Sequence, residues 1–114
     1  MAFLYIIACQ DGTYYTGIAK DIEARLKEHR EKGKSCAKYT RAHPIKALLA
    51  LWQTDTLATA AKGEYAVKKL SRKEKEALID DGEQLLSFCP GLTGLIFTLR
   101  RDIVLADREN QPKS

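Results

Sequence analysis

The hydrophobic positions of this chain fall into two kinds of pattern, short unbroken apolar runs and longer segments with helical spacing. Phe3-Leu4-Tyr5-Ile6-Ile7-Ala8-Cys9 is an apolar run rich in β-branched and aromatic residues, Asp11-Gly12 is a turn signal, and Thr13 to Ile18 is strand-like again. Together they predict a β-hairpin. A second unbroken run, Ile45 to Trp52, follows Pro44 and predicts a third strand, apolar on both faces and so interior to a sheet.

Helical spacing fills most of the remainder. Asp21 is a suitable N-cap for a helix from Ile22 to about Lys32, with Glu23 in its first turn and Gly33 as the stop. Thr54-Asp55-Thr56 offers caps for a second helix, Leu57 to about Leu70. Ser71-Arg72-Lys73-Glu74 has the capping-box pattern and opens a third, to about Asp80, whose Lys and Arg residues are expected to face solvent. Beyond Gly82 the pattern weakens. Gln84 to Phe88 extends the helical region, Pro90 to Gly94 is a turn, and Leu95 to Leu99 fits a short strand or a piece of helix. The fold class expected is α/β of the α+β kind: a small three-stranded mixed or antiparallel sheet that starts with the hairpin and is flanked by helices. One domain, 1–82, would carry an extension, 83–108, packed on it, and a flexible tail, 109–114.

Two helices place charge where their apolar stripe should continue. On the first, Ile22 and Leu26 define the inner side, His29 falls between them on the helical wheel, and Arg25 lies beside it. On the second, the stripe traced through Leu57, Ala60 and Ala61 leads to Glu64 and Lys68. Local rules that fail together mark a functional cleft. The structural reading, also open at this point, is a snorkelling arginine, a satisfied core histidine, and a buried ion pair of Glu64 with Arg25 or Lys68.

Composition changes the picture in three ways. The net charge of +4 is unevenly spread: Lys20 to Lys46 holds nine Lys/Arg against four acids, Lys62 to Glu76 six against three, and Ala77 to Ser114 four against six. A phosphate-rich partner is the natural inference, with a solvated basic face as the alternative. Within the basic loop Gly33 to Arg41, Lys34, Lys38, Tyr39 and Arg41 are candidate backbone contacts. Gly33-Lys34-Ser35 is not a phosphate-binding loop, because Glu28 stands where that motif needs its first glycine, so no nucleotide cofactor is expected. Cys9, Cys36 and Cys89 have neither disulfide nor zinc spacing and read as reduced packing or loop residues. No apolar run approaches the ~20 residues of a membrane helix, and the start of the chain lacks the pattern of a signal peptide. A cytoplasmic protein with no membrane partner is expected.

The ordered set Leu4-Tyr5-Ile6, Tyr15-Thr16-Gly17, Arg25 with His29, the loop Ala37-Lys38-Tyr39-Thr40-Arg41, Glu64, and Lys68-Lys69-Leu70-Ser71 resembles the GIY-YIG nucleases, in particular their small stand-alone bacterial members. The match spans Phe3 to about Ile79. It implies a metal-dependent endonuclease, a hydrolase of phosphodiester bonds in nucleic acid, with DNA the expected substrate and DNA repair or processing the expected setting. By position, Tyr5 and Tyr15 correspond to the tyrosines of the two name-giving motifs, Arg25 to the helix arginine, His29 to a frequent histidine one turn on, and Glu64 to the ligand for Mg²⁺ or Mn²⁺. Two positions depart from the family pattern. Phe3-Leu4 replaces Gly-Ile, and the asparagine that many members carry after the glutamate helix is missing, Asn110 being the only asparagine in the chain.

The residue types suit that chemistry. A glutamate is a hard oxygen ligand, an arginine fork binds non-bridging phosphate oxygens, and a tyrosine or histidine can orient or deprotonate water if its environment tunes it. If Tyr5 and Tyr15 act together they must share a face of the sheet. A two-residue loop at Asp11-Gly12 would put them on opposite faces. A three-residue loop, Gln10 to Gly12 with Gly12 in the left-handed region, pairs Ile7 with Tyr15 and Tyr5 with Gly17 and puts them together, so that loop or an equivalent bulge is predicted. Nucleic-acid binding through Lys34, Lys38, Arg41, Lys68 and Lys69 should be mainly electrostatic. The other readings are a binding module with the same fold but little or no catalysis, and a structural domain whose charged cluster is a core network.

Overall fold

A computed structural model describes residues 1–31 and 45–100. Its centre is a four-stranded antiparallel sheet in the order β2-β1-β3-β4, built from β1 (Ala2–Cys9), β2 (Tyr14–Ala19), β3 (Ile45–Thr54) and β4 (Thr98–Leu99). The expectation of three strands is corrected by β4, which adds Leu99 opposite Trp52 and Thr98 opposite Gln53. Two residues are too few to show a period of two, and their strand is made by its partner rather than by its own pattern.

The hairpin takes the predicted three-residue loop. The Cys9 N–H donates to the Thr13 carbonyl (2.8 Å), the Gly12 N–H donates to the Cys9 carbonyl (3.0 Å), and Gly12 has φ 87°. The Asp11 carboxylate fixes the turn by accepting from the Thr13 N–H (3.1 Å) and hydroxyl (2.7 Å). Tyr5 therefore sits opposite Gly17 and Ile7 opposite Tyr15.

On the other side of β1, the register with β3 slips between Ile6 and Ile7, which pair with Ala50 and Leu48. Leu49 is the extra residue of a bulge. This explains how Leu48 and Leu51, three apart, both join the cluster on one face with Phe3, Tyr5 and Ile7.

Helix α1 (Ile22–Glu31) covers this face with Ile22 and Leu26, and Asp21 caps it by accepting from the Ala24 N–H at 3.1 Å. The opposite face carries Leu4, Ile6, Ala50 and Trp52 and is covered by α2 (Leu57–Lys68), α3 (Arg72–Asp80), the short α4 (Leu85–Phe88) and the segment up to Leu99. Trp52 donates its indole N–H to the Gly82 carbonyl at 2.9 Å, and the Thr54 hydroxyl donates to the Ile96 carbonyl at 2.6 Å. These tie the chain beyond α3 back to β3. The capping box at Ser71 and Glu74 forms as expected, and Thr56 caps α2.

The inner stripe of α2 is not the one its apolar residues suggest. Thr59, Ala60, Gly63 and Val67 are buried, whereas Leu57 and Ala61 are exposed. A β-carbon at Gly63 would stand 2.8 Å from Leu4 Cδ2 and 3.0 Å from Phe97 Cε1. The helix is turned so that its smallest residue meets the sheet, and the close approach at Gly63 leaves Leu57 on the outside. Glu64 thus borders the buried stripe instead of interrupting it.

Candidate active site

Tyr5 and Tyr15 lie on the α1 face with ring centroids 6.3 Å apart and planes at 46°. Gly17 makes this possible. A β-carbon there would fall 2.6 Å from the Tyr5 hydroxyl oxygen, 2.7 Å from its Cζ and 2.8 Å from Tyr15 Cε2. The Tyr5 side chain therefore lies across Gly17, carrying its hydroxyl from the central strand out over β2, where Tyr15 flanks it. The Tyr-Thr-Gly motif is in physical terms a tyrosine, a buried threonine on the other face, and a gap shaped for the first tyrosine.

Arg25 projects from α1 beside Ile22 and Leu26, and its Nε is out of contact with solvent. Burial pushes the Tyr5 hydroxyl from its ordinary 10.0 up to about 12. The neighbouring Tyr15 and the charge of Glu64 push the same way, while hydrogen bonding to Arg25 and its positive charge pull against them. The Tyr5 hydroxyl thus feels Arg25 most directly among its charged neighbours and Glu64 least. Tyr5 is fully buried, whereas Tyr15 is only half-buried, so the second ring is the one nearer water.

Glu64 stands on α2, the helix packed against the opposite face. Its carboxylate is 3.5 Å from Lys68 Nζ one turn on, with side-chain exposures of 25% for Glu64 and 52% for Lys68. The buried ion pair offered by the structural reading is thus a solvent-facing one where Lys68 is concerned, worth about 0.3–0.5 kcal/mol. Among the described residues, no three His, Cys, Asp or Glu side chains gather as a metal cage. A single carboxylate partly open to water is nevertheless the donor that suits Mg²⁺, which keeps several of its waters and takes substrate phosphate as a further ligand.

The other expected site residues are placed less centrally. His29 lies on α1 one turn past Arg25, with its side chain outside the described residues, as are Lys34, Cys36, Lys38, Tyr39, Arg41 and Asn110. Lys69 is exposed and stands 4.1 Å above the Tyr65 ring centroid. Hydrogen bonding to Lys69 and its charge lower the pKa of the Tyr65 hydroxyl. Tyr65 itself is 65% exposed, although one aromatic in a helix reads as core. Gly17 was legible only as a motif letter. The expectation that the cations of α3 face solvent is met in an altered form: Arg72 is exposed but lies 4.4 Å over the Tyr14 ring, whose hydroxyl donates to Glu76 at 3.2 Å. Cys9 and Cys89 are free and buried, as packing residues should be. No helix among the described residues is long and apolar enough to cross a membrane.

The family model of the GIY-YIG catalytic domain matches residues 1–77. The chain belongs to the GIY-YIG family. That membership makes it one of a family of nucleases, and nucleic acid the class of substrate. Among its relatives, the UPF0213 protein BH0048 of Halalkalibacterium halodurans is 43% identical over 68% of this chain and 80% of its own length. A UPF0213 protein of Halobacterium salinarum is 42% identical over 68% of this chain and 99% of its own. The solution NMR structure of the first covers 70% of this GIY-YIG chain and 84% of its own, with a TM-score of 0.45. The matched residues take in both tyrosines, Arg25 and Glu64, and end within α3.

Proposed function

We propose that the protein is a Mg²⁺-dependent endonuclease that hydrolyses phosphodiester bonds of nucleic acid, DNA ahead of RNA, in a cytoplasmic repair or processing role. The observation that carries this reading is the pairing of Tyr5 and Tyr15 across Gly17, with Arg25 and the charge of Glu64 acting on the Tyr5 hydroxyl, four residues from four separate elements. Mn²⁺ is the alternative ion. When bound, the ion supplies Lewis-acid stabilisation of the phosphate and its leaving oxygen.

The remaining work falls to the side chains. Arg25 takes a non-bridging phosphate oxygen, its fork of donors oriented by the packing that buries its Nε. Tyr5, neutral with its pKa at about 12, is a donor and a positioning group and not the resting base. Tyr15, nearer water, is then the tyrosine set against the attacking water, with His29 available to share that role. Glu64 holds the cation, and Lys68 beside it neutralises the carboxylate until the cation arrives.

The test is a panel of labelled single-stranded, duplex, gapped and branched DNA and RNA incubated with the protein in Mg²⁺ and in chelator. The expected result is cleavage that requires the cation. Binding of the panel without cleavage in Mg²⁺ or Mn²⁺ would establish the second reading, a binding module with the nuclease fold, for which the missing asparagine speaks.

A further inference from the structure

The outward side of α2 carries a feature that folding does not account for. Opposite the buried stripe of Thr59, Ala60, Gly63 and Val67, Tyr65 is left 65% exposed. Helix propensity at an exposed position favours Ala, Glu or Lys over an aromatic. One exposed aromatic is ordinary on a protein surface, but this one has unusual surroundings. Lys69 Nζ lies 4.1 Å from its ring centroid, and the exposed Lys62 and Lys68 stand one turn away at i−3 and i+3. The only acid between Ala60 and Leu70 is Glu64, which Lys68 already engages. The result is an aromatic face among ammonium groups, on the residue next to Glu64.

We infer that Tyr65 is a stacking platform for an unpaired base, with Lys62 and Lys69 holding the flanking phosphates. The substrate class of the Glu64 site is then nucleic acid with single-stranded nucleotides beside the cleaved bond. This rests on the nuclease reading above and narrows its substrate. Within a duplex both faces of a base are covered by its neighbours, so a protein ring can stack only on a nucleotide that is unstacked. The positive surroundings match the strand that carries such a base, because every nucleotide brings one phosphate.

Binding is read in chelator, so that cleavage does not enter, by fluorescence anisotropy of a labelled oligonucleotide offered as a single strand, as a blunt duplex and as a duplex with a single-stranded tail. Tyr65→Ala should weaken single-strand and tailed-duplex binding by about five-fold to a hundred-fold, the scale of one base–aromatic stack. Blunt-duplex binding should change less than two-fold, and Tyr65→Phe should stay near wild type. The dependence of affinity on salt should be the same for wild type and Tyr65→Ala, and shallower for Lys69→Ala. An exposed ring leaves the unfolding midpoint unchanged when it is removed, so loss of fold is separately visible.

Equal single-strand affinity of Tyr65→Ala and wild type overturns the inference while the nuclease reading stands. So does equal weakening on single strand and blunt duplex, or competition by polyglutamate as strong per charge as by the oligonucleotide, which marks a site for acidic protein. Tyr65-dependent single-strand binding without cation-dependent cleavage leaves the stacking site standing and removes the nuclease reading. No binding of any oligonucleotide at low salt overturns both.

Discussion

The two faces of the sheet are built from different materials. On one, Trp52, Leu4, Ile6, Val67, Leu78, Leu85 and Leu92 are buried together with partly buried Leu70, Phe88, Leu95, Phe97 and Leu99, and the indole N–H and the Thr54 hydroxyl both have carbonyl partners. On the other, the cluster under α1 has a tyrosine hydroxyl, a second tyrosine and an arginine at its edge. The first face holds the fold together, and it leaves the second free to tolerate a buried phenol and a partly buried guanidinium. A domain of this size could not place such groups at the centre of its only core.

That contrast is broken most forcefully from the first face. Trp52→Ala removes the largest fully buried side chain and strands the Gly82 carbonyl, and should cost about 3–5 kcal/mol, seen as a large fall in the denaturant midpoint. Next comes Gly17→Ala, whose β-carbon has no room beside either tyrosine. It should cost about 1–3 kcal/mol by overpacking. Its effect on cleavage should be larger than on stability, on the order of a hundred-fold, because the ring it displaces is held to position. Gly91→Ala, where nothing lies within 4 Å of the new atom, is the control and should change neither.

The hairpin and its register were legible because a turn signal and the spacing of two tyrosines call for a three-residue loop or an equivalent bulge to unite them. Capping was legible for the same local reason: Asp21, Thr56, Ser71 and Glu74 act within three residues of themselves. What escaped was decided at a distance. The face α2 presents is chosen by the fit of Gly63 to Leu4, which hydrophobicity along the helix does not encode. β4 exists because Trp52 and Gln53 have an open edge, which Arg100 extends through its N–H to the Leu51 carbonyl and its guanidinium to Gln53. Glu64 was read as interrupting a core stripe, whereas with α2 turned as it is the residue borders the buried stripe and its carboxylate is partly open to water.

A smaller effect sharpens the electrostatic side. Because the folded state holds the Tyr5 hydroxyl at about 12 against an ordinary 10.0, the neutral phenol is favoured by folding. Its contribution to stability is full below pH 10 and is lost as pH rises through about 12. Tyr5→Phe should cost about 1 kcal/mol at neutral pH. Across that alkaline window its unfolding midpoint should fall less than the wild type's, and one phenolate should vanish from the upper end of the ultraviolet titration.

The smallest stability effect belongs to the residue with the largest expected role in chemistry. Glu64→Gln keeps the shape of the side chain and removes the charge, so cation-dependent cleavage and the unfolding midpoint, measured on the same preparation, separate a catalytic from a structural glutamate directly. Cleavage should fall by on the order of a hundred-fold or more with the midpoint moved by no more than about 0.5 kcal/mol, the scale of its partly exposed pair with Lys68. A midpoint lowered by about 3 kcal/mol or more, with no cation-dependent cleavage in the wild type to lose, would contradict it and make Glu64 part of the framework.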